Sequence, residues 1–91
     1  MDYQEKFEEF HAANPQVYEE LVRLCRQGKE AGLKKIGIRM LWEVARWNML
    51  MSTKRNSPFK LNDHYHSRYS RLIILMEPDL ADMFELRKLH T

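Results

Sequence analysis

The chain has 91 residues, 44% of them hydrophobic and 31% charged, with one cysteine and a formal net charge of +2. That length suits one domain with a small core, and the apolar content argues against disorder over most of it. No apolar run approaches the roughly 20 residues that span a bilayer, the acidic N-terminal stretch has no apolar segment of the kind a secretory signal needs, and the lone Cys25 excludes an internal disulfide.

A cytoplasmic protein with no membrane partner is therefore expected. The charge is unevenly spread. Residues 1–32 carry four Lys or Arg against seven acids, whereas 34–71 carry nine cations opposed only by Glu43 and Asp63, a local balance of +7. Such a segment fits an anionic partner, with an acidic scaffold in front of it. The plainer alternative on charge alone is a basic stretch that is merely solvated.

In chain order, residues 2–13 predict a short helix with Tyr3, Phe7 and Phe10 at helical spacing and acids in the early turns, where the helix dipole favours them. Asn14-Pro15 restarts the chain as N-cap and first helical residue. Val17 or Tyr18, Leu21, Leu24 and Cys25 then form the buried stripe of a second helix, with Glu19 and Arg23 paired outside. Gly28 weakens its end and Gly32 terminates it. His11 and Cys25 lie on different helices without a third partner, and Cys25 reads as a small buried hydrophobe.

Residues 34–38 are a basic, β-branched pause, either a one-bridge strand or the lead-in to a third helix over 37–52. There Ile38, Leu41, Trp42, Ala45 and Met49 make one stripe, and Met40, Val44, Trp47 and Met51 widen it around most of the girth. That pattern predicts a helix at the centre of the fold, with at least one of the two tryptophans in the core and the other free to serve a partner surface. Residues 52–58 read as a polar, basic loop closed by Pro58, followed by a short extended segment at Phe59-Lys60-Leu61.

The fourth helix is predicted over 62–77, capped by Asn62 and stopped before Pro78. Tyr65, Tyr69, Leu72, Ile73 and Met76 share one face, and Asn62, His64, Ser67, Arg68 and Arg71 the other. Residues 79–82 read as a turn or a single helical turn, and 83–89 as a short strand in preference to a helix. The fold class expected is mainly α: a four-helix small domain with a helix-turn-helix-like or winged-helix-like arrangement and a short C-terminal strand.

Nothing supports catalysis. The three glycines cannot build a phosphate loop, and the acid pairs read as surface acids. His64 and His66 are two apart, and so point to nearly opposite faces of a helix, where metal ligands need a spacing of three or four. No cofactor, metal or enzymatic activity is expected. The layout does match one that places the last long helix in a DNA major groove. Arg pairs with guanine, Asn with adenine, and Ser or His with base edges or phosphates. Asn62, His64, Ser67, Arg68 and Arg71 are the candidate contacts to double-stranded DNA, with Lys54, Arg55, Lys60, Lys34 and Lys35 neutralising backbone phosphates. The connection over 52–61 is longer than the three or four residues of a tight helix-turn-helix, which suits a winged variant or no helix-turn-helix at all. The alternative is a module that captures a host protein through exposed aromatic and basic side chains.

The runs Lys35-Ile-Gly-Ile, Trp42-Glu, Arg46-Trp, Phe59-Lys-Leu-Asn, Ser67-Arg-Tyr-Ser-Arg-Leu, Glu77-Pro-Asp-Leu and Phe84-Glu-Leu-Arg, with Phe10-His-Ala-Ala-Asn-Pro in front, span nearly the whole chain. In them it resembles a family of small, largely uncharacterised bacterial and phage-borne proteins. The resemblance implies an origin in a phage or mobile element and brings no catalytic motif. Where the family pattern has a second Asn after Asn62, this chain has Asp63, which weakens a phosphate contact there.

Overall fold

The computed structural model describes residues 3–52 and 65–84. All regular structure among them is helical: α1 Tyr3–Ala13, α2 Pro15–Glu30, α3 Ile38–Ser52, α4 His66–Met76, and a 3-10 segment Pro78–Met83. Phe84 is extended (φ −106°, ψ 137°). Residues 85–89 of the expected C-terminal strand lie outside the described residues, as do the loop from Thr53, the segment Phe59-Lys60-Leu61 and the Asn62 cap.

Each helix buries the side that its spacing marks. Val17, Leu21, Leu24 and Cys25 of α2 are buried, as are Leu41, Trp42 and Ala45 of α3 and Tyr69 and Ile73 of α4. Phe7 of α1, Ile36, Tyr65, Leu80, Met83 and Phe84 complete one continuous core. Its α1 side is aromatic. Tyr69 meets Phe7 edge-on at 4.8 Å between centroids and lies 5.5 Å from Trp42 and 5.8 Å from His11.

The joints differ from expectation in informative ways. Asn14 precedes α2, but its side chain makes no cap bond there. Its Nδ2 donates backward to the Phe10 carbonyl at 3.0 Å, satisfying the end of α1 instead. Gly32 does terminate α2. At φ +94° it lets its own N–H reach the Lys29 carbonyl and the Leu33 N–H reach that of Gly28, both at 3.0 Å, closing the last carbonyls of the helix. The expected Glu19–Arg23 pair is replaced by Glu20–Arg23 at 2.7 Å. The backbone N–H of Ile36 donates to the Met83 carbonyl at 2.8 Å, so the pause before α3 is tied to the end of the 3-10 segment.

Two expectations fail. α3 is not enclosed: Met40, Val44, Trp47 and Met51 are 53, 40, 63 and 58% exposed. Among the described residues, α2 and α4 pack against its Trp42 side. Met76, expected on the buried face of α4, is 59% exposed, because it is the last residue before the chain leaves the helix at Glu77.

Candidate nucleic-acid interface

α4 is held by its inner face. Tyr65, Tyr69 and Ile73 are buried, and the Ser70 hydroxyl, also buried, donates to the Ser67 carbonyl one turn back at 2.7 Å. That bond lets a polar side chain sit against the core without an orphaned group. With those residues turned inward, Ser67 and Arg68 are half-buried and Arg71 is exposed. Asn62 and His64, predicted for the same face, lie outside the described residues.

The candidate cations are distributed over several elements. Arg68 donates through Nε to the Gln4 Oε1 at 3.2 Å, and its guanidinium lies 5.9 Å from the centre of the Tyr3 ring. It is thus tethered to the start of α1. Lys35 donates to the Asp82 carbonyl at 2.7 Å, beside the 3-10 segment. Lys34 is exposed. Lys54, Arg55 and Lys60 lie outside the described residues. Arg46 bonds Glu43 at 3.3 Å on α3.

Sequence reasoning missed a charge cluster at the back of the fold. Arg26 on α2 donates to both Glu77 and Asp79, the latter at 2.7 Å, and Lys29 donates to the Asp79 carbonyl at 2.8 Å. The Tyr18 hydroxyl donates to Glu77 at 3.5 Å. The Arg26 guanidinium holds the Asp79 carboxyl below the ordinary aspartate range, while burial, and then Glu77, push the Tyr18 hydroxyl up. The cluster joins residues fifty or more positions apart, a contact that only the tertiary fold reveals. The signal available in the sequence was Arg26 and Lys29 lying three apart on one side of α2. Glu77 and Asp79 are thereby engaged from α2.

An open groove of about 460 Å³ runs between α2 and α3. Glu20 lies in it, bonded by Arg23 and, at 2.8 Å, by the Asn48 amide. Arg23 first, and then Asn48, hold its carboxyl low against the opposing effect of burial. Glu19 also lines the groove, and two carboxylates to one guanidinium make it a poor seat for an anion.

Cys25 and His11, the two residues of catalytic type weighed in the sequence, are both packed among side chains. Cys25 is fully buried, its sulfur 3.8 Å from that of Met83, and burial pushes its thiol pKa up, the opposite of an activated nucleophile. His11 stacks on Phe7 and meets Tyr18 and Tyr69 edge-on. No group of three His, Cys, Asp or Glu gathers at metal-binding distance among the described residues, and no helix there is long and apolar enough to cross a membrane. Comparison of the chain with protein-family models, curated proteins and solved structures finds no significant match.

Proposed function

We propose that this is a small DNA-binding protein of phage or mobile-element type, regulatory in role, that lays the outer face of α4 against double-stranded DNA in a helix-turn-helix-like or winged-helix-like arrangement. The observation that carries this reading is the way α4 is mounted. Its aromatic face is locked in the core, so Ser67, Arg68 and Arg71 sit on the opposite side of a rigid helix, within a segment of net charge +7. Arg71, exposed, is the foremost contact. Arg68 must exchange Gln4 and Tyr3 for DNA or hold the α1 end of α4 in place. Polarisation titrations with duplex DNA at two salt concentrations test the proposal. Binding should weaken steeply with salt, and Arg71→Ala should weaken it further, lowering the salt slope by about one if that residue contacts phosphate. Absence of binding at low salt, or an Arg71→Ala/Arg68→Ala chain that binds as well as the parent, sinks it.

A second reading, capture of a host protein through exposed aromatic and basic side chains, is favoured by one observation, the 63% exposure of Trp47. Pull-down from nuclease-treated host lysate separates the two, since only this reading survives removal of the nucleic acid.

A further inference from the structure

Among the described residues, five of the nine exposed large hydrophobic side chains lie on α3 and only two on α4. Along the outer face of α3, Met40, Val44, Trp47 and Met51 follow one another at steps of four, three and four, with Leu50 beside them, 43% exposed. Together these five side chains leave on the order of 500 Å² of apolar surface open, near the largest patch a monomer of ordinary design carries. Glu43, exposed, and Arg46, half-buried, flank the stripe.

The geometry points to a second copy of this chain as the occupant of that face, joined about a twofold axis with the two α3 helices antiparallel. The first ground is the spacing. Steps of four, three and four read the same in both directions about a point midway between Val44 and Trp47. An antiparallel copy therefore sets Trp47 over the second copy's Val44, large on small, twice over, and Met40 over its Met51. A twofold interface needs such self-complementarity: residue i meets j where j meets i. The second is area. Two such faces remove about 1,000 Å² from water, the lower bound for a specific dimer. The result is a concentration-dependent dimer, independent of the DNA reading, that leaves Arg71 on another helix. It competes with a host protein for the same stripe.

Light scattering of the full chain across a concentration series tests this. The mass should rise from 11.0 kDa to twice that value. Trp47→Glu and, separately, Met51→Glu should stay at the monomer mass at every concentration with helical circular dichroism unchanged, since both side chains are exposed. A Met40→Cys chain mixed with a Met51→Cys chain and oxidised with diamide should give the mixed disulfide several-fold over either like pair. A parent that stays monomeric at the highest concentration overturns the proposal, whether its stripe takes a host protein or another part of its own chain. So does a dimer that persists in both Glu variants, or cross-linking that favours like pairs.

Discussion

The ring of Tyr69 lies 5.5 Å from that of Trp42, and each of the two buries a polar atom, the Tyr69 hydroxyl and the Trp42 Nε1, that has no hydrogen-bond partner among the described residues. The pair anchors α4 to α3 and so fixes the direction in which Arg71 points. Its stabilisation comes from aromatic area and edge contacts, with the polar atoms a cost.

That cost is removable at Tyr69. Phe keeps the ring that meets Phe7, Trp42 and His11 and deletes only the orphaned hydroxyl. Tyr69→Phe should raise stability by about 1 kcal/mol, read as a higher urea midpoint at unchanged slope. In the parent, burial pushes the Tyr69 hydroxyl pKa well up, so one tyrosine should resist ionisation in an alkaline absorbance titration until the chain unfolds. That late fraction should vanish in Tyr69→Phe. A destabilised variant would mean that the hydroxyl has a partner.

Gly32 turns the chain out of α2 at φ +94°, a conformation that costs an L side chain about 1 kcal/mol or more. Nothing lies within 4 Å of where its Cβ would stand, so the strain is of backbone alone. Gly32→Ala should lower stability by roughly that amount in thermal or urea unfolding. Gly37→Ala is the control: its site is equally open and its φ is not positive, so the stiffer unfolded chain offsets the poorer start to α3 and the change should be smaller than at Gly32, within about 0.5 kcal/mol.

Acid should act through the cluster at the back of the fold and through Glu20. The carboxyls of Asp79 and Glu20 are both held below their ordinary values, Asp79 by Arg26 and Glu20 by Arg23. A carboxylate depressed in the folded state contributes stability above its unfolded pKa and loses it as pH falls through the folded one. Unfolding should therefore become easier below about pH 4. Arg26→Met should flatten that dependence, since Asp79 would then titrate near its unfolded value. An acid profile identical to the parent's would show that the Arg26–Asp79 contact is not maintained in solution.

The inner faces of α2 and α4 were legible because periodicity alone selects them. Val17, Leu21, Leu24 and Cys25 recur at steps of four, three and one, and their apolar neighbours Tyr18 and Val22 are only partly buried. On α3 the same rule misled, since two adjacent apolar stripes carry one periodic signal and only the number of covering elements decides which is buried. α4 and α2 pack on the Trp42 side, and the Trp47 side is left to solvent. Joints were less legible than faces. Asn14 has the right residue type for one helix start and uses it on the preceding helix end, a choice between two acceptors a few ångströms apart that residue type cannot make. Among the candidate contacts, the solvent side of α4 follows from helical spacing. The tether of Arg68 to Gln4 depends on where α1 crosses, and no pattern within α4 reports that.

The two tryptophans of α3 turn this difference into a measurement. Trp42 is 1% exposed and surrounded by core, while Trp47 is 63% exposed. Trp42→Ala opens a large cavity against Tyr69 and should cost about 3–5 kcal/mol, enough to unfold much of a domain this size. Trp47→Ala, measured at a dilution where the chain is monomeric, should change stability by less than about 0.5 kcal/mol. Fluorescence gives the same contrast without a large perturbation. The Trp47→Phe chain keeps only the buried indole and should emit at shorter wavelength with little iodide quenching; Trp42→Phe should emit like a solvated indole and quench readily. Equal costs for the two alanine variants, or equal quenching of the two indoles in dilute solution, would mean that the outer stripe of α3 is covered within the monomer, and would remove the exposed face on which self-association depends.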